Sequence, residues 1–154
     1  MVALKGAIMD KRQLLMSELM DLCNEIIWLN KPELEAALKG VTLSEIELIE
    51  HIAMIPNANV TKLAAASYMT RGAISKLTKK LVAKDMIESY QSEHNKKEIY
   101  FRLTENGQEI NTIHQDLHRS FLKRDQEVFQ QMTDEEFDTI FRFIGRYRQH
   151  LKNR

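Results

Sequence analysis

The run Leu63-Ala64-Ala65-Ala66-Ser67-Tyr68-Met69-Thr70-Arg71-Gly72-Ala73-Ile74-Ser75-Lys76-Leu77 has the pattern of two helices joined by a short turn. Two helices that cross at roughly 90–120° through a short turn need a small residue where they touch. Ala64 supplies it. They also need apolar residues that hold the second helix on the first, and Leu63, Met69, Ile74, Leu77 and Leu81 fall at the right steps. The second helix must start sharply, and Thr70 is a good N-cap. The pattern predicts a helix-turn-helix with helices over about 61–67 and 70–84.

With Ile74, Leu77 and Leu81 turned inward, the outward face of the second helix falls to Arg71, Gly72, Ser75, Lys76, Lys79 and Lys80. Thr70, Arg71, Gly72 and Ser75 occupy its first turns, the part that reaches base edges when such a helix enters a major groove. Arg71 matches guanine bidentately and Ser75 suits a base or a phosphate. Lys76, Lys79 and Lys80 suit phosphates, which add affinity without sequence preference. Gly72 keeps the surface low for close approach. An ordinary amphipathic helix pair with a solvated lysine face is the competing reading. The combination of small residue, turn, cap, basic face and following hairpin favours nucleic acid.

Downstream the period changes from helix to strand. Ile87–Ser92 and Glu98–Thr104 read as strands, the second alternating Ile99, Phe101 and Leu103 with Tyr100 and Arg102. Glu93-His94-Asn95-Lys96-Lys97 reads as the polar turn between them. Upstream, apolar residues from Ile8 to Leu29 predict a helix over 8–30, stopped by Pro32. A short helix over 33–39 then ends at Gly40 as a C-cap. Ser44 and Glu47 form a capping box for a helix to Ile55, and Pro56-Asn57-Ala58-Asn59 is a turn. Thr104 caps a long helix over 105–131 bearing Ile110, Ile113, Leu117, Phe121 and Val128. Thr133 and Glu136 box a last helix bearing Phe137, Ile140, Phe141, Ile144, Tyr147 and Leu151. The fold class is mainly α with a small β-hairpin wing. The apolar faces of the two end segments exceed what a small core can cover, which points to a second copy.

The chain has 154 residues and zero formal net charge, distributed unevenly. Residues 1–59 carry −4, residues 60–102 carry +5 and residues 103–154 carry −1. Screening confines such fields to roughly 10 Å, so a local basic surface attracts phosphate whatever the remainder carries. The apolar runs are too short for a membrane span, and charges at Lys5, Asp10, Lys11 and Arg12 break up any signal peptide. A single cysteine cannot form an intramolecular disulfide, and a cytoplasmic location follows as the expectation. The sequence has no phosphate-binding glycine loop, nucleophile motif or paired catalytic carboxylates, so an enzyme is not expected and no cofactor is implied.

Residues 43–104 resemble the winged helix-turn-helix core of the MarR family, the multiple antibiotic resistance regulators. The resemblance rests on Leu43-Ser44, Val60-Thr61 before Leu63-Ala64, and Ile74-Ser75-Lys76-Leu77. It continues through Leu81-Val82-Ala83-Lys84-Asp85-Met86-Ile87 and Leu103-Thr104-Glu105-Asn106-Gly107. Helix order extends it over nearly the whole chain, as one domain with a winged core at about 41–104 and dimerisation helices at 1–40 and 105–154. The family implies a homodimer on a pseudo-palindromic operator, a wing in the minor groove, repression, and release by a small-molecule effector. Two positions depart from the family pattern. Tyr68 stands where many relatives have glycine, and Asn95-Lys96-Lys97 stands where an Asp-Arg-Arg-like run is usual. Lysine still meets phosphate but lacks the planar fork that suits a narrow minor groove.

Sensing residues are more open. His114 and His118, four apart on one helix, fall where zinc-responsive members of the family carry histidines. His51, Glu50, Glu25 and Cys23 are further candidate ligands, yet the other zinc-sensor ligands are not at matching positions. Two ordinary polar histidines are the simpler reading. Cys23 lies where thiol-sensing relatives keep a reactive cysteine, although Asp21 and Glu25 beside it would raise its pKa. Trp28, Met16, Met20 and Met54 read as core or as lining of an effector pocket. Alternatives for the whole chain are a zinc-responsive regulator of the same fold and a winged-helix module that binds protein instead of DNA.

Overall fold

The computed structural model describes residues 10–154 and divides into two compact units, residues up to Leu117 and residues from His118 onward. The expected start of the first helix near Ile8 lies outside the described residues.

The first unit opens with α1 (Lys11–Ala37), whose N-cap Asp10 accepts from the Arg12 backbone N–H. Pro32 does not stop this helix; it lies inside it, and the short helix expected over 33–39 is its continuation. Proline removes one N–H and crowds one carbonyl. The bonds on either side of the missing one carry the helix through. The cap falls at Leu38, and Gly40 takes φ +81° in the turn beyond it.

The capping box of α2 (Leu43–Met54) is Thr42 with Glu45, two residues before the expected pair. The Glu45 N–H donates to Thr42 Oγ1 at 3.3 Å and the Thr42 N–H to Glu45 Oε2 at 2.9 Å. Burial decides between the two boxes. Glu45 is only 2% exposed, and the ammonium of Lys84 reaches it from the far end of the next helix pair, at 2.8 and 3.0 Å from the two carboxylate oxygens. The same ammonium donates to the Gly40 carbonyl at 2.8 Å. Burial disfavours the charged carboxylate, but Lys84 and the Thr42 donors outweigh it and hold the Glu45 pKa below its ordinary value.

After the turn at Asn57 come α3 (Val60–Ser67), capped by Asn59, and α4 (Arg71–Ala83), capped as expected by Thr70, whose Oγ1 accepts from the Ala73 N–H at 3.1 Å. Asp85 in left-handed geometry closes α4, with the Met86 N–H reaching back to the Leu81 carbonyl at 2.9 Å. Leu48, Ile49, Ile52, Ala58, Leu63, Ala64, Ile74, Leu81 and Ile87 form one buried cluster where α2, α3, α4 and the hairpin meet.

The hairpin is β1 (Ile87–Ser92) antiparallel to β2 (Asn95–Leu103), with Ile87 opposite Leu103 and Tyr90 opposite Tyr100. The turn is therefore only Glu93-His94, and Asn95, Lys96 and Lys97 belong to the second strand instead of the turn. A register shift between Tyr90 and Ser92 absorbs the extra residues on β2. Ala58 adds an isolated bridge to Phe101, a short third rung that the sequence does not announce.

Thr104 caps α5 (Glu105–Arg124), with the Gly107 N–H donating to its Oγ1 at 3.1 Å. Glycine is required at 107, because a Cβ there would stand 1.9 Å from the Met86 carbonyl oxygen.

The second unit holds the end of α5, α6 (Gln126–Gln130) and α7 (Asp134–Lys152). The long helix expected over 105–131 breaks at Asp125, which caps α6 instead of continuing α5. Val128 lies on α6 and is 62% exposed. The Thr133–Glu136 capping box forms as expected. Along α7 no residue is buried, and Phe137 lies against Phe141 at 6.1 Å and Phe143 against Tyr147 at 6.0 Å between ring centres.

Candidate nucleic-acid interface

The outer face of α4 is assembled by its own core. Burying Ile74, Thr78 and Leu81 on one side leaves Arg71, Gly72, Lys76, Lys79 and Lys80 exposed on the other, with Ser75 half-buried at the edge. The Thr70 oxygen is engaged by the cap, while its hydroxyl hydrogen is left to donate outward. A groove of about 380 Å³ runs between this helix and the hairpin, lined by Ser75, Lys79 and Val82 on one side and Ser89, Ile99 and Phe101 on the other.

The positive residues of segment 60–102 divide into two groups. Lys62 donates to the Pro56 and Asn57 carbonyls at 2.9 and 3.2 Å, so its charge closes a turn. Lys84 is spent on Glu45. Arg102 pairs with Glu88 at 2.6 Å and lies over the Tyr90 ring at 5.1 Å, which holds the hairpin's face together. The other six, Arg71, Lys76, Lys79, Lys80, Lys96 and Lys97, are exposed and form no ion pair among the described residues. Four lie on α4 and two on the distal part of β2. The sequence charge count weights all nine cations alike; only folding separates those that hold the domain together from those left for a partner.

The hairpin is anchored at its base. The Tyr90 hydroxyl donates to Asn57 Oδ1 at 3.2 Å and the Phe101 N–H to the Ala58 carbonyl at 2.9 Å. At the distal end the Asn95 side chain accepts from the Lys97 N–H at 3.1 Å and so shapes its own strand, leaving both lysine heads exposed.

The candidate sensing residues do not converge. His51 Nδ1 sits 3.0 Å from Ser67 Oγ. His114 is 6% exposed with Nδ1 3.9 Å from a Glu50 oxygen, whereas His118 is exposed and meets Phe121 edge-on at 6.0 Å between ring centres. Four-residue spacing thus places the two imidazoles in unlike surroundings. Among the described residues no three His, Cys, Asp or Glu side chains gather as a metal site. Cys23 is exposed on α1. Trp28, Met20 and Met54, expected as core or pocket lining, are 77%, 62% and 69% exposed within the single chain.

A small-residue helix crossing, a capped and basic second helix and a hairpin docked behind it define a winged helix-turn-helix protein. Residues 41–99 match the model of the MarR family. Over 109 residues the chain is 30% identical to the uncharacterized HTH-type transcriptional regulator YhjH of Bacillus subtilis (strain 168), a match covering 70% of this chain. The chain spans 62% of that regulator's length. In fold it is similar to Streptococcus pneumoniae FabT, solved in complex with DNA, with TM-score 0.78 and 19% identity over 93% of this chain and 99% of that one. It is also similar in fold to Staphylococcus aureus MarR, solved with salicylate and kanamycin, with TM-score 0.74 and 16% identity over 92% of this chain and 93% of that one. The winged core of the chain, residues 41–99, is thus MarR-like in sequence, within a fold shared with both solved regulators.

Proposed function

We propose that this chain is a DNA-binding transcription regulator of the MarR family that acts in the cytoplasm as a homodimeric repressor released by a small-molecule effector. The observation that carries the reading is the set of six exposed cations on α4 and β2 that form no ion pair among the described residues. Arg71, Gly72 and Ser75 read base edges in the major groove, with Thr70 beside them at the helix start. Lys76, Lys79 and Lys80 hold the phosphates. Asn95, Lys96 and Lys97 carry the wing toward the adjacent minor groove. The crystal of FabT with DNA and that of S. aureus MarR with salicylate support duplex DNA and a small molecule as the partners.

Dimerisation is supported by the apolar side chains left uncovered in the single chain. Leu22, Ile27 and Trp28 on α1 are exposed, as are Phe141, Tyr147 and Leu151 on α7. Two subunits then present two α4 helices to half-sites about one helical turn apart, and an effector that changes their spacing lowers affinity by population shift. A protein-binding role for the same winged helix is disfavoured by the basic face of α4.

Selection of bound fragments from genomic DNA followed by gel shift tests the reading. Arg71→Ala relaxes specificity, with a loss of about 1–3 kcal/mol confined to the preferred site. Lys79→Ala weakens all duplexes and lowers the slope of log K against log salt by about 0.9 for each phosphate it no longer neutralises. Binding that is indifferent to both substitutions and to salt refutes it.

A further inference from the structure

The turn between α3 and α4 holds a side chain that the fold does not use. Tyr68 closes α3 at φ 52° and ψ 38°, the left-handed region that disfavours bulky side chains. Its ring is 92% exposed, so core packing does not offset the strain. Among the described residues its hydroxyl makes no hydrogen bond and its ring no aromatic contact. Among the described residues the two other non-glycine residues at positive φ are Asn57 and Asp85, short polar side chains suited to that geometry. Both are also engaged, Asn57 by Tyr90 and Asp85 by Asn106 at 2.9 Å. Among these three, Tyr68 joins backbone strain to a large, unengaged side chain. Strain of this kind persists where a residue is used, and here the use lies outside the chain's own core.

Position and chemistry indicate the use. Tyr68 precedes by two residues the Thr70 cap and by three Arg71, the first of the exposed cations of α4. A duplex that receives α4 in its major groove carries a sugar-phosphate strand past the element leading into that helix. Tyrosine hydroxyls are among the groups that fix proteins to such strands, and an aromatic ring offers an apolar face to deoxyribose.

We propose that Tyr68 is a DNA-backbone contact, its phenol O–H donating to a phosphate oxygen and its ring lying against the neighbouring sugar. This rests on the reading of α4 as the recognition helix. Because the contact is neutral, it adds affinity without displacing a counterion.

The test measures affinity by fluorescence anisotropy over a range of salt, with a duplex fragment selected from genomic DNA by the parent chain. Tyr68→Gly relieves the backbone strain, so its melting temperature stays equal to or rises above the parent's, while affinity falls about tenfold. The salt slope stays at the parent value. Tyr68→Phe keeps ring and strain, loses the hydroxyl, and weakens binding about threefold. Lys79→Ala is the reference, lowering affinity and slope together. Affinity of Tyr68→Gly within about twofold of parent, with Lys79→Ala weakened, removes Tyr68 from the interface and leaves the interface standing. Full affinity in both variants overturns the interface and this proposal together.

Discussion

Replacing Lys84 by alanine removes the ammonium that neutralises Glu45, and the structure sets the expected scale of the loss. Glu45 is 2% exposed and holds two short bonds from the ammonium, at 2.8 and 3.0 Å. Stripping a partner from a buried pair costs about 3–5 kcal/mol. The Lys84 side chain is itself 37% exposed, so water reaches the vacated position and the expected loss lies at the lower end, about 3 kcal/mol. For a unit of this size that corresponds to a fall in Tm of about 15 °C in calorimetry or circular dichroism. Glu45→Gln keeps an oxygen to accept from the Thr42 N–H and removes only the charge. In that background Lys84→Ala has little left to disrupt, and the two changes couple by about 2 kcal/mol in a double-mutant cycle. The pH dependence supplies a second readout. In the parent, the Glu45 pKa is lowered on folding, so its stabilisation is present above the unfolded pKa and disappears as pH falls through the folded one. In Lys84→Ala only the Thr42 bonds still oppose burial, so that pKa rises above the parent's and the gap between variant and parent narrows in acid. A loss under about 0.5 kcal/mol, or one of equal size in the Glu45→Gln background, would mean that Lys84 does not stabilise the fold through the Glu45 charge.

Two further outcomes follow from backbone geometry. Gly107→Ala drives a methyl group into the Met86 carbonyl oxygen, 1.9 Å from the new carbon, and forces α5 and the start of β1 apart. Denaturant unfolding should show a loss of about 3 kcal/mol. Pro32→Ala restores the N–H missing inside α1 and should stabilise that helix by about 2 kcal/mol, read as a rise in Tm; a fall in Tm would mean that the proline's shape is itself needed.

The parts of the fold visible in the sequence are those governed by neighbours in the chain. Thr70 caps α4 because its hydroxyl meets an N–H three residues on, and Thr133 with Glu136 does the same for α7. The departures come from partners distant in sequence. Thr42-Leu43-Ser44-Glu45 and Ser44-Glu45-Ile46-Glu47 are equivalent as local capping boxes, and the choice is made by Lys84, 39 residues beyond Glu45. Asn95 to Lys97 read as a turn because they are polar, but cross-strand pairing outranks composition and places them in β2. The outer face of α4 is legible because its apolar complement repeats at helical spacing. Which cations are spent internally is not, since Lys62 and Arg102 are committed to a loop carbonyl pair and a cross-strand carboxylate. The strain at Tyr68 is half visible, as a tyrosine in a slot where many relatives place glycine; its exposure requires coordinates.

The pins at the hairpin's base divide the wing into parts with different freedom to vary. Ala58, Asn57 and Asp85 fasten Phe101, Tyr90 and Thr104 respectively, so the lower rungs share the stability of the core. Beyond the register shift, the tip around Glu93-His94 is exposed and held mainly by bonds within itself, such as Gln91 to the Lys96 carbonyl at 2.9 Å. Lengthening a loop there by a few residues adds only about 0.6 kcal/mol per doubling of its length. The reach and charge of the tip can therefore be altered by short insertions while the lower rungs, the core and α4 keep their structure.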